Sequence, residues 1–315
     1  MLSHYTRPPG LTGIAQSQSL RASDFLGLND GEEFMYGMQA VMRTALSVIV
    51  PKIPADIRNR DTPDDYVYRP LPEYAQTIRE QIRQANGYDT MYVTSFARGR
   101  DDYEEEHGIL TLWRCYTDTK GYCLQYSREK IQNLLAPERT FYSYAAIDLV
   151  DVQYGVDDDD PELRYLAQQY ALWILTELAR TRNEPRFLEG MPPAHARHHV
   201  TARLLRFCCS HKNPAFCDER EVRIFAIPLN QTIVQPFRPT LPKPINNGPL
   251  PDSRYIVFGE NRTPPLRPDR IIIGPNAELD EARVAALFPD NFHEIRPAIF
   301  KSAISIRPPA MQELG

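Results

Sequence analysis

Residues 211–228, HKNPAFCDEREVRIFAIP, constrain this chain most, because they set charged groups at the entry to what reads as a core strand. From Arg220 onward Val222, Ile224 and Ala226 alternate with Arg223 and Phe225, the period of two expected of a half-buried strand. Glu221 and Arg223 then share a face. A chain already extended at Glu219 adds a second carboxylate, giving a Glu-x-Glu-x-Arg row. Two explanations compete. An ion-pair ladder on a solvated sheet face would contribute little, whereas a cleft would gather the same carboxylates to act on a ligand.

Composition narrows the class. With 315 residues, 42% of them hydrophobic and 24% charged, the chain can bury a sizeable core and reads as one globular domain over 1–315. A net charge of -5 and a pI near 5.9 argue against a general basic grip on nucleic acid. The five cysteines are odd in number, with Cys208 and Cys209 adjacent, which suits a reducing cytoplasm better than a disulfide framework. The N-terminus lacks a basic-then-apolar leader, and no stretch approaches the roughly 20 apolar residues of a membrane span. A cytoplasmic protein with no membrane partner is expected, its oligomeric state open.

Along the chain, 2–6 reads as a strand, Pro8 and Pro9 open a short helix carrying Leu11, Ile14 and Ala15, and 20–25 reads as a second strand. Asp30 and Glu33 form a capping-box pattern before a helical stripe of Phe34, Met38, Val41, Met42, Ala45 and Ile49, which Pro51 stops. A surface loop over 52–70 is placed to act as a lid, a helix follows over 71–86, and a strand over 91–97. The acidic run 101–107 reads as a loop, 122–126 as a strand, and 141–154 as one bent strand or two. The acids of 157–160 suit the N-terminus of a long helix carrying Leu163, Leu166, Tyr170 and Trp173, with Leu166 and Trp173 buried. A helix over 196–211 leads into the charged strand. Beyond it come a Pro-rich connection over 229–252, strands over 254–258 and 270–273, a helix over 277–287 and a last strand over 298–306. Helices and strands alternate without the spacing of a doubly wound sheet, so the expected class is α+β, with mixed, mostly antiparallel sheets and flanking helices.

Phosphate-loop, GxGxxG, GxSxG and HExxH patterns are absent. Cys208, Cys209, His211 and Cys217 are of the right types for zinc, but adjacent helical cysteines diverge by about 100° and lack the spacing of a structural site, so no metal is expected. His195, His198 and His199 read as a solvated helix start. Trp113, Tyr116, Tyr122 and Tyr126 either stack on a planar ligand or fill a core. At the front, His4, Tyr5 and Thr6, then Arg21 and Ser23, then residues 29–36 offer polar groups that converge only if the two strands are neighbours.

The order of HYT, LRAS, NDGEEFMYG, YVTSF, LWRCY with GYCLQYS, HKNPAFCDEREVRIF and KSAISIR resembles a bacterial family catalogued as domain-of-unknown-function family 2971. Its most specific parts are the NDGEEFMYG turn and the K-x-x-x-F-x-x-E-x-E-x-R block. A more distant resemblance links LSHYTRPPGLTGIAQSQSLRAS to the first strand, helix and second strand of ADP-ribosyltransferases of the diphtheria-toxin and DNA-modifying kinds. The Glu-x-Glu is similar to their catalytic strand. That resemblance implies an ADP-ribosyltransferase-like core with NAD, or another nucleotide-like molecule, as substrate. Glu221, or less readily Glu219, would act on the nicotinamide ribose. His4 would hold the ribose, with Tyr5, Thr6, Arg21 and Arg223 around it, and Tyr36, Trp113 or Tyr116 would stack on nicotinamide. Ser23 and Tyr36 only approximate the family's middle motif. The implied activity is transfer of ADP-ribose to a protein or nucleic-acid target, or hydrolysis of NAD, as in a bacterial toxin or anti-phage effector. The rival is a non-catalytic interaction or sensing module whose charged row is structural. A cleft requires His4 and Glu221 on the same side of the fold.

Overall fold

The computed structural model describes residues 1–25, 31–49, 51, 91–182, 197–229, 240–248, 253–260, 266–288 and 296–305. The expected loop over 52–70, the helix over 71–86, Asp30 and His195 lie outside them, as do the side chains of Phe34, His198 and His199.

Strand β1 (Leu2–Thr6) leads into α1 (Pro8–Ser17), which starts on the two prolines and ends where Gln18 turns left-handed and returns its N–H to the Ile14 carbonyl. Then come β2 (Leu20–Asp24), α2 (Gly31–Ile49) and β3 (Tyr92–Ala97). Helices α3 (Asp102–His107) and α4 (Leu110–Thr117) precede β4 (Tyr122–Tyr126), α5 (Arg128–Phe141), β5 (Tyr142–Asp151) and β6 (Gln153–Tyr154). The long helix α6 (Pro161–Arg182) and α7 (Arg197–Ser210) lead through β7 (His211–Lys212) and a 3-10 turn (Pro214–Glu219) into β8 (Glu221–Pro228). Short strands β9 (Leu241–Pro242) and β10 (Asn246–Asn247) precede β11 (Arg254–Phe258), β12 (Arg270–Ile273), α8 (Glu281–Leu287) and β13 (Ala298–Lys301).

The fold is α+β with a mixed, mostly antiparallel sheet. Its main path is β10-β11-β2-β3-β1-β4-β12-β13, and β8 joins through β3 and carries β5 on its other edge. The pairings β12–β13, β5–β9 and the separate β6–β7 are parallel. Strand β8 follows one edge of β3 from Tyr92↔Ala226 to Ala97↔Glu221. The other edge of β3 is therefore divided: β2 takes Val93 and Tyr92, and β1 takes Ala97 through Ser3 alone. Beyond Ser3, β1 stays in register with β4 as far as Thr6↔Tyr122. The sheet forks at β3, and this fork positions the site.

Two large cores flank the sheet. On one face Phe225, Ile227 and Val93 pack with Met38, Val41, Ala45, Leu163, Leu166 and Cys208 of the helices. On the other, Val222, Ile224 and Ala226 pack with Leu2, Leu11, Phe96, Tyr122, Leu124 and Ile271. The described members of the α2 stripe are buried, as is Leu166, while Trp173 is half-buried.

Several expectations need correction. Strand β8 is buried along its whole length rather than on one face, because it lies between β3 and β5 with a core on each side. Glu219 is not extended: it ends the 3-10 turn, and Arg220 at φ 42° sets it off from the strand. The acidic run is helix α3, capped by Asp101, whose side chain accepts the Glu104 N–H, with acids in the first turn where the helix dipole favours them. Residues 128–141, to which no expected element was assigned, form α5 despite Pro137. Ser127 caps it and Ile131, Leu134 and Leu135 are buried. The 141–154 stretch is two strands, and α8 and β13 are shorter than their sequence patterns suggest.

Candidate functional site

Paired residues on antiparallel strands present their side chains to one face. Ser3, Ala97 and Glu221 therefore form one row across β1, β3 and β8, and Ser95 and Arg223 form the next on β3 and β8. The small side chains of Ser3, Ser95 and Ala97 leave space in front of Glu221 that Leu112 and Tyr116 of α4 border without filling. A cavity of about 160 Å³ lies there, lined also by His4, Tyr5, Phe96 and Glu219. His4 and Phe96 alternate to the other face, so the cavity occupies the gap where β1 leaves β3. Pockets for drug-sized ligands run to about 300–1,000 Å³, so this cavity is a small one.

Its two lining carboxylates, Glu219 and Glu221, are backed by two buried cations. Arg223 grips Glu221 with two bonds, Nε to Oε1 at 2.6 Å and Nη2 to Oε2 at 2.8 Å, and spends Nη1 on the Cys209 carbonyl at 3.0 Å. Lys212, only 1% exposed, donates to Glu219 Oε2 at 2.5 Å and lies 3.5 Å from Glu221 Oε2. Its ammonium also sits 4.8 Å from the centre of the Phe216 ring. The Tyr116 hydroxyl donates to Glu219 Oε1 at 3.3 Å. These two cations and two carboxylates balance in sign, as buried charges must. The exposed-ladder explanation fails here, since the side chains of Glu221 and Arg223 are 7% and 4% exposed. Removing the charge of Glu221 would leave Arg223 buried against a neutral partner, so the substitution cannot spare stability.

Arg220 holds its left-handed backbone because it is tied on several sides: its guanidinium meets Glu104 and the Arg98 carbonyl, and its own carbonyl accepts the Arg98 N–H. The Tyr154 hydroxyl accepts the Glu221 N–H at 2.8 Å.

The His4 ring contacts the Ser95 carbonyl through Nδ1 at 3.0 Å. A carbonyl only accepts, so Nδ1 carries the proton. Burial lowers the pKa of this imidazole, against the raising effect of the carbonyl, which favours the neutral ring, the form in which Nε2 is an acceptor. Tyr5 also lines the cavity; its hydroxyl accepts the Ile109 N–H at 2.6 Å, and burial raises its pKa.

Of the expected site residues, His4, Tyr5, Tyr116, Glu219 and Glu221 meet at this cavity. Trp113 does not: it is fully buried, donates to the His107 carbonyl at 3.0 Å and packs edge-on against Tyr5, so it is a core residue rather than a stacking surface. Arg223 lies behind Glu221, not on the cavity wall. Arg21 is exposed and stacks over Tyr255 at 4.7 Å, and Ser23 pairs with Val93 farther along β3. Thr6 and the half-buried Tyr36 are not among the lining residues. Strands β1 and β2 are not neighbours; they share an edge of β3, which is why only the first converges on Glu221. Ser3, Ser95, Ala97, Leu112 and Lys212 were not anticipated. Lys212 had a signal, a lysine inside the charged block at the entry to a core strand.

All five cysteines are free thiols, and burial pushes Cys123 up to about 12. Among the described residues there is no group of three or more His, Cys, Asp or Glu able to hold a metal ion, and no helix long and apolar enough to cross a membrane.

Fold and site together define an α+β protein whose sheet forks over a cavity backed by paired buried charges. Residues 112–224, just over a third of the chain, match the model of a family described as Protein of unknown function (DUF2971). That segment carries Tyr116, Lys212, Glu219, Glu221 and Arg223 but not β1 or β3. No curated protein matches the chain, and no solved structure matches it.

Proposed function

We propose that the cavity takes the nicotinamide end of NAD, and that the protein is an ADP-ribosyltransferase-like enzyme that passes ADP-ribose to a macromolecule or to water. The observation that carries this reading is the meeting of His4, Tyr116, Glu219 and Glu221 at one fork of the sheet. In the reaction the bond from ribose C1′ to the nicotinamide nitrogen breaks and its electron pair leaves with nicotinamide, which becomes neutral. The ribosyl carbon is left oxocarbenium-like. A fixed carboxylate stabilises that charge only as it develops, which lowers the barrier rather than merely tightening binding. The acceptor oxygen or nitrogen then bonds to C1′ and gives up its proton. Arg223 fixes Glu221 in one orientation, and the neutral His4 offers Nε2 to a ribose hydroxyl. Tyr116 supplies a half-exposed ring at the cavity wall.

The test is incubation with labelled NAD, with and without cell lysate, following nicotinamide release and label transfer for wild type, Glu221→Gln and Glu219→Gln. Loss of about 10²-fold or more in either variant, with the fold intact by circular dichroism, is the expected result. Wild type that neither binds nor consumes NAD sinks the reading. A second reading draws on the two-bond Arg223–Glu221 pair, which by itself suits a structural role. The protein would then be a non-catalytic interaction or sensing module, and Glu221→Gln would change stability and no ligand binding.

A further inference from the structure

We infer that Lys212 is a positioning residue whose buried ammonium holds Glu219 on the cavity wall. Strand geometry cannot do this, because Glu219 belongs to the 3-10 turn and is separated from β8 by the left-handed Arg220. Glu221 has less need of Lys212: it is on the strand, and both its oxygens are already bonded by Arg223 at 2.6 and 2.8 Å. Lys212 approaches Glu219 to 2.5 Å and Glu221 only to 3.5 Å, and the Tyr116 contact to Glu219 is longer at 3.3 Å. Its placement explains why a lysine is tolerated there. The side chain leaves β7 beneath Phe216, at 1% exposure, and a buried ammonium is retained only where carboxylates and a ring face answer its lost hydration. Glu219 at 16% exposure stands nearer solvent, so without the ammonium it has water to turn to. Lys212 thus makes a turn carboxylate act together with a strand carboxylate at one cavity.

The consequence for turnover rests on the NAD reading; the consequence for geometry does not, and the experiment reads both. Lys212→Met keeps the length of the side chain and removes the charge, and Glu219 can hydrate while Arg223 still neutralises Glu221. Crystal structures of wild type and Lys212→Met should show the Glu219 carboxylate withdrawn from Tyr116 in the variant, with the Glu221–Arg223 pair in place. In NAD turnover, kcat should fall about tenfold while KM changes by no more than about twofold, since positioning acts on the transition state. The double variant Lys212→Met with Glu219→Gln should be no slower than Glu219→Gln alone, because the two residues act through one carboxylate. A Lys212→Met structure with Glu219 unmoved overturns the inference, and so does a double variant whose loss is the product of the two single losses. If Lys212→Met fails to fold, Lys212→Arg decides: retained Glu219 placement and turnover support the positioning role, and a displaced Glu219 despite the kept charge overturns it. Wild type inert toward NAD defeats the NAD reading alone, and the structures still decide the role of Lys212.

Discussion

Glu219 and Glu221 are two residues apart and differ in what their charge costs the fold. Glu221 compensates a guanidinium that is 4% exposed, so Glu221→Gln should destabilise by about 3–5 kcal/mol, the usual penalty for stranding one member of a buried pair. Glu219 has partial access to water, and Lys212 retains Glu221 nearby, so Glu219→Gln should cost clearly less, about 1–2 kcal/mol. Urea titration of both checks the order, and equal costs would show that the pair at β8 is not the anchor. A second expectation concerns protons. Burial lowers the pKa of both His4 and His211, so each native ring resists a proton that the unfolded chain accepts near the ordinary value of about 6.5. Their contribution to stability is complete above that value and is lost as pH falls through the lowered native pKa values. The melting temperature should decline between pH 7 and 5.5, less steeply in a His211→Gln variant; a flat profile would refute this. His211 was legible only as a zinc candidate, since nothing in sequence says that its Nδ1 would bond the Phe207 carbonyl at 2.8 Å and its ring stack on Phe207.

Elements with a clear period were readable because period alone sets their buried face. The stripe of α2, the β1–α1–β2 opening and the acid-led start of α6 all carried such a signal, down to Asp160 accepting the Glu162 N–H at 2.7 Å. Helices α3 and α5 were not, because charge and an internal proline hide their stripes and a single capping residue settles their start. The site was half legible for a related reason: the charged block names its carboxylates, but the room before them is made by Ser3, Ser95 and Ala97, whose smallness means nothing until the strands are paired. Gly37 shows the same dependence. Within α2 it looks like a weak helix former, yet a Cβ there would stand 2.8 Å from the backbone Cα of Cys208. It lets α2 and α7 approach closely. Gly37→Ala should therefore destabilise by about 1–3 kcal/mol through overpacking, exceeding the gain of up to about 1 kcal/mol that alanine brings to a helix. A chemical denaturation series checks the sign, and a stabilised variant would mean that the helices yield.

At the scale of the molecule, the segment 240–248 is fastened to the body by Lys243, whose ammonium bonds both oxygens of the buried Glu138 at 3.0 and 2.8 Å and faces the rings of Tyr142 and Phe258. Gly259 and Tyr144 donate to the same carboxylate, so α5, β5 and the residues just after β9 and β11 meet at one polar knot. Strand β8 has a wider reach. Phe225 and Ile227 belong to one core and Val222, Ile224 and Ala226 to the other, so neither core can dissolve without exposing the back of its neighbour. Such a shared wall couples the melting of distant parts. The chain has two tryptophans, and they report from different places: Trp173 from the helical core, and Trp113 from the small cluster with Cys123 and Ile272 behind the cavity. In single-tryptophan variants made with Trp113→Phe and Trp173→Phe, corrected for any common shift in stability, the two fluorescence transitions should each coincide with that variant's loss of helical circular dichroism. Separate transitions would mean that the wall comes apart along β8. Coincidence would make the protein one cooperative unit, in which a change at the charged end of a single strand is felt as a loss of the whole.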